Sequence, residues 1–260
     1  VTIASTATLD LDGAVQTIGS LAGDSGSSVL LGGGALTVSG PAVTTFAGSI
    51  TGAGTLVRDG SGSLTVTGNN TFTGPTTVAG GTLVVNGQLA GDVLVNGGTL
   101  LGDGVIGGTV SVHAGTISAG NSPGRLWVGS FNQDGGTMLV ELGGYEQGVT
   151  YDEIIADGLA TLGGQLDVDW YGGFIGHGPF DVLVALGGIT NEDLSGLSFD
   201  FSGAAYGEHA WRASIVALPD LGQNAEALRL ELVPEPATLA LLGLTAAGLG
   251  GYLRRRRTCA

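Results

Sequence analysis

The sequence predicts an all-β chain: a right-handed parallel β-helix, closed by an all-β C-terminal cap and followed by a single C-terminal transmembrane helix. Three observations carry that expectation. Glycine supplies 51 of 260 residues, far above ordinary usage, without a collagen-like period of three. Short runs of apolar residues alternating with small or polar ones return with nearly the same wording. The chain then ends in an uncharged apolar stretch and four consecutive arginines.

The first element, residues 1–130, is expected to be the solenoid. GGGALTVSG at 32–40, GSGSLTVTG at 60–68, GGTLVVNG at 80–87 and GGTVSVHAG at 107–115 are each a glycine turn followed by a β-like run. Period-two alternation puts Leu64 with Val66, Leu83 with Val85, Val93 with Val95, and Val110 with Val112 on shared faces. Leu36 to Leu56 and Leu64 to Leu83 mark a longer repeat of about 20 residues. Each such turn has one apolar face that is buried only when turns stack. Glycine suits the corners because it accepts positive φ; Asn69, Asn86 and Asn96 are expected to do the same less readily. A β-sandwich would contain similar runs, but its turns need not recur with one phrase.

The second element, 131–232, is expected to be an all-β cap that closes the solenoid. Alternation becomes cleaner in Leu166, Val168 and Trp170, in Leu197, Phe199 and Phe201, and in Leu228, Leu230 and Leu232. One wet and one dry face suits an antiparallel sheet. Leu221 to Leu232 also fits a helical period, which leaves that stretch open between strand and helix.

The third element is the tail, 233–260. Ala237 to Leu253 carries no charge over 17 residues, about 25 Å as a helix, at the short end of what spans a bilayer. Pro234 and Pro236 resist continuation of that helix upstream. Arg254, Arg255, Arg256 and Arg257 form a cytoplasmic anchor by the positive-inside rule, which leaves the body on the far side of the membrane.

Val233-Pro234-Glu235-Pro236, the short span and the terminal arginines together resemble the PEP-CTERM sorting signal. The resemblance makes Pro234, Glu235 and Pro236 the sorting motif. It implies a Gram-negative bacterium, transient anchoring in the inner membrane, processing by an exosortase, and transfer to the cell surface or release. It also implies an association with exopolysaccharide. Residues 52–87, GAGTLVRDGSGSLTVTGNNTFTGPTTVAGGTLVVNG, resemble the autotransporter-associated β-strand repeat, also called the passenger-associated transport repeat. GNSPG at 120–124 is similar to the end of such passengers. The implied fold is a parallel β-helix. The tail stands where those proteins have a membrane barrel.

Composition narrows the function. Ahead of the tail, four arginines face 22 acidic residues, so phosphate backbones are repelled and no nucleic acid is expected as a partner. Cys259 is the one cysteine, so no intrachain disulfide forms. Asp167 and Asp169 fall on one side of a strand about 6.6 Å apart, a spacing at which paired carboxylates serve glycosidases. A solvated strand face explains them equally. His113, His177 and His209 share no ligand spacing. Asp152, Glu153 and Asp181 read as strand starts, and Asn69-Asn70-Thr71 as a chance sequon. The expectation is a non-enzymatic, adhesin-like or structural surface protein without a cofactor or metal, in contact with extracellular polysaccharide or other surface proteins. The alternative is a β-helix enzyme acting on polysaccharide. The chain opens VTIASTATLDLDG, without a signal peptide, so an export leader is expected upstream.

Overall fold

The computed structural model describes residues 1–174, 178–191, 193–201 and 211–232. The transmembrane helix expected over 237–253 and the tail residues 233–260 lie outside these. Among the described residues no helix is long and apolar enough to cross a membrane.

The chain winds into a β-solenoid in which each turn contributes a strand to three faces. The first face stacks Val43–Phe46, Ser63–Val66 and Thr82–Val85. The second stacks Thr8–Asp10, Ser28–Leu30 and Ser49–Thr51. The third stacks Val15–Ile18, Ala35–Val38 and Thr55–Arg58. All of these pairs are parallel. The registers Leu36↔Leu56 and Leu64↔Leu83 reproduce the repeat visible in the sequence.

Period two then does what it must: every second side chain points inward, and stacking places like on like. Leu64, Leu83, Leu100, Ile117, Met138 and Leu166 form one continuous inward column, all fully buried. Each fully buried side chain of this kind contributes roughly 1.5–3 kcal/mol. On the third face the corresponding column is Val38, Arg58, Val78, Val95, Val112 and Gln133. The two polar members do not break it, because they turn to backbone carbonyls. Arg58 Nη1 donates to Val38 O at 2.6 Å and to Asp59 O, and Nη2 to Gly40 O at 3.2 Å. Burial pushes the Arg58 pKa down while Asp59 pulls it up. Gln133 Nε2 donates to Gln165 O at 3.0 Å.

The corners explain the glycine content. At Gly81, φ is +59°, and an added Cβ would press on the carbonyl oxygens of Gly60 and Gly62 one turn away. Stacked turns bring backbone against backbone there, so positive φ and close approach both call for a residue without a side chain. Asparagine does not share this role. The non-glycine residues with positive φ are Thr6, Asp12, Ser122 and Leu194 among the described residues, not Asn69, Asn86 or Asn96. Asn86 instead accepts from the Asp103 N–H through its side chain.

The antiparallel sheet expected over 131–232 is confined to the end of that stretch. Thr137–Leu142, Gly164–Trp170 and Leu197–Asp200 stack parallel on the first face, and Arg125–Gln133, Glu153–Ala156 and Phe180–Ala185 on the second. Alternation marks a strand with one dry face and is silent on the direction of its neighbour. Antiparallel pairing begins where Glu226–Leu232 lies against Phe180–Ala185 and then against Trp211–Ala217. Glu226–Leu232 is a strand, which decides the helix alternative. Leu228 and Leu230 are fully buried. Phe199 departs from its expected place: it is 36% exposed and stacks on Phe201 with ring centroids 5.9 Å apart.

Candidate functional site

The length of a turn is not constant. Partners in adjacent turns are 20 residues apart at Val15↔Ala35, 17 at Val93↔Val110, 21 at Thr116↔Thr137 and 28 at Arg125↔Glu153. The additions collect at one corner, between the first and second faces. Strands end there at Ser118, Leu142 and Trp170, and the next begin at Arg125, Glu153 and Phe180. Insertions stacked on one edge of a repeat array are where binding surfaces are built.

Asp152 ties this corner together. It is 1% exposed. Its Oδ1 accepts from Gly124 N at 2.9 Å, and its Oδ2 accepts from Ser118 Oγ and Glu141 N, both at 3.1 Å. These donors come from different turns. Burial pushes the Asp152 pKa up to about 7, against hydrogen bonds that pull it down. Nearby, Ser122 in the GNSPG corner donates to Glu141 Oε1 at 2.7 Å, and Asn121 Nδ2 bridges Asn86 and Asp103. Asp152 and Glu153 do stand at a strand start, as read from sequence, and are in addition buried fastening groups; no spacing signal betrays that, because their partners lie 6 to 34 residues away.

Beside the corner, the outer side of the second face forms a groove of about 680 Å³. Glu153 is 2% exposed, accepts from Arg125 Nε and Gln147 Nε2, and has its pKa raised by burial against the pull of Arg125. Asp181 receives Arg229 through two bonds of 2.6 and 2.8 Å. Trp127 and Ile155 floor the groove, and Leu221 stands at its wall.

Asp167 and Asp169 lie on the outer side of the first face, as their alternation requires. Register adds neighbours that spacing could not show: Asp200 beside Asp167, and Glu141 beside Asp169. Burial, then Asp200 and Asp169, raise the Asp167 pKa. His113 is exposed and pairs with Asp134, while His177 and His209 lie outside the described residues. Among the described residues no group of three His, Cys, Asp or Glu is placed to hold a metal. Pro234, Glu235, Pro236 and Arg254 to Arg257 also fall outside the described residues.

A family model for the passenger-associated-transport-repeat matches residues 56–85, within the stacked turns, and one for the PEP-CTERM protein-sorting motif matches residues 232–257. No curated protein matches the chain. The chain is therefore a β-solenoid protein that carries a passenger-associated-transport-repeat and, at its C-terminal side, a PEP-CTERM protein-sorting motif.

Proposed function

We propose that the body is a non-enzymatic structural or adhesin-like module, displayed outside a Gram-negative cell within or upon its extracellular polysaccharide. The sorting motif implies export, processing by an exosortase and delivery to the cell surface. The observation that carries the rest is the pairing of that motif with a stacked solenoid whose extra loops gather on one edge. Such a scaffold presents a long rigid surface, and its acidic character keeps it off nucleic acid and acidic polymers alike. The inner membrane serves as a transient anchor, with Arg254 to Arg257 retained on the cytoplasmic side.

Fractionation with tags at both ends tests delivery. The N-terminal tag is expected outside the cytoplasm and the C-terminal tag in the membrane fraction. A single intact product in the cytosol overturns the reading.

Catalysis is tested separately. The outer-face carboxylates Asp167 and Asp169 are read as a solvated row. Purified protein is expected to leave neutral and acidic glycans uncleaved. Turnover that disappears in Asp167→Asn, Asp169→Asn would replace this reading with that of a polysaccharide-active enzyme.

A further inference from the structure

The groove on the second face is built from two rows running across the strands. One row is charged and self-neutralised: Arg125 lies in register with Glu153, and Asp181 with Arg229, each pair joined by an ion pair. Two residues further along the first two strands, and three along the strand of Asp181, where the register shifts, runs an apolar row, Trp127, Ile155 and Val184, in register. The segment Ala217–Leu221 walls the groove.

An occupant must match both rows at once. It needs a flat apolar face for Trp127, whose side is open enough to leave the residue 38% exposed. It needs, on its adjoining edge, hydroxyl-like groups that both donate and accept, because the row opposite offers carboxylate oxygens, guanidinium N–H groups and the Gln147 amide. It must carry no negative charge, since the groove adds the Asp220 carboxylate to two ion pairs that already cancel. Along the charged row it gains little from a positive charge, because Glu153 and Asp181 already have cationic partners. A pyranose ring has this two-sided character, with C–H groups on its face and hydroxyls on its rim.

We propose that this groove binds a segment of a neutral polysaccharide, with a sugar ring stacked on Trp127 and its hydroxyls directed at Arg125, Gln147 and Asp181. The proposal names a ligand class for the surface role argued above. It is measured on purified protein, so it stands or falls independently of where the cell delivers the chain.

The test uses the full chain in mild detergent, run through native gels containing a neutral glucan or a neutral galactomannan. A uronate polymer and a basic peptide provide comparison arms by calorimetry. Retardation by a neutral polymer is expected, with affinity reduced about tenfold or more in Trp127→Ala. The melting temperature should hold, because the inward columns do not include Trp127. Leu221→Asp, at a residue 59% exposed, provides a second variant and is expected to weaken binding in the same assay. Neutral oligosaccharide should also shield tryptophan fluorescence from iodide in the wild type, and this shielding should vanish in Trp127→Ala. Failure of the neutral polymers to bind, equal binding by both variants, or preference for the uronate polymer or the peptide overturns the assignment.

Discussion

Asn70→Asp is expected to destabilise the solenoid by about 4 kcal/mol or more at neutral pH, and Asn70→Ala by about 3 kcal/mol. Asn70 is fully buried and stands where the second-face ladder is interrupted. Its Oδ1 accepts from Ile50 N at 3.0 Å, in the turn on one side. Its Nδ2 donates to Gly68 O at 3.1 Å and to Gln88 O at 3.0 Å, the latter in the turn on the other side. One amide thus replaces backbone ladder bonds across three turns. Alanine leaves a buried N–H and two carbonyls without these partners. Aspartate keeps the acceptor but sets a buried negative charge against two carbonyl oxygens, so its penalty should shrink as acid protonates it. Urea unfolding at two pH values measures both effects. Because each turn touches only its neighbours, the loss should be largest around residues 50–88 in hydrogen exchange. Equal stability of Asn70→Ala and wild type would show the ladder does not depend on this side chain.

The second large effect is tied to pH. The Asp152 carboxyl has a pKa of about 7 in the fold, against an ordinary value of 3.8. The folded state therefore favours the protonated form. The stability this contributes is complete below pH about 4 and is lost as pH rises toward 7. Integrated over that window it amounts to about 4 kcal/mol. Glu153 and Asp167 are also raised by burial, so their contributions have the same sign. Asp152→Asn should flatten the decline between pH 4 and 7. It should also cost about 1–3 kcal/mol at its most favourable pH, since either orientation of the amide leaves one backbone N–H, that of Gly124 or of Glu141, facing a second donor. Thermal melts of both proteins across that range decide the matter. A wild-type stability that rises from pH 4 to 7, or parallel slopes in the two proteins, would remove Asp152 from the explanation.

Much of the architecture was legible beforehand because it is periodic. Leu64 and Leu83 announce themselves by alternation, and they stack because the repeat returns them to the same face. Long-range polar pairing has no such period. Asn70 looks like part of a chance sequon, Arg58 occupies a position where its column calls for valine, and Asp152 resembles an acid before a strand. Their burial follows from partners in other turns. The groove was illegible for the same reason: Arg125, Glu153 and Asp181 are brought into one row only by turns that lengthen to 28 residues.

By itself the sequence determined that the chain is β throughout its body, that its turns return every 20 residues or so, and that it ends in a sorting signal. These are local or periodic properties, written in neighbouring side chains. Only the tertiary structure decided the direction of the later strands, the burial of Asn70, Asp152 and Glu153, and the corner where extra loops accumulate. A hydrogen-bond partner or a neighbouring turn is chosen by closure of the whole coil, and no short stretch of residues contains that information.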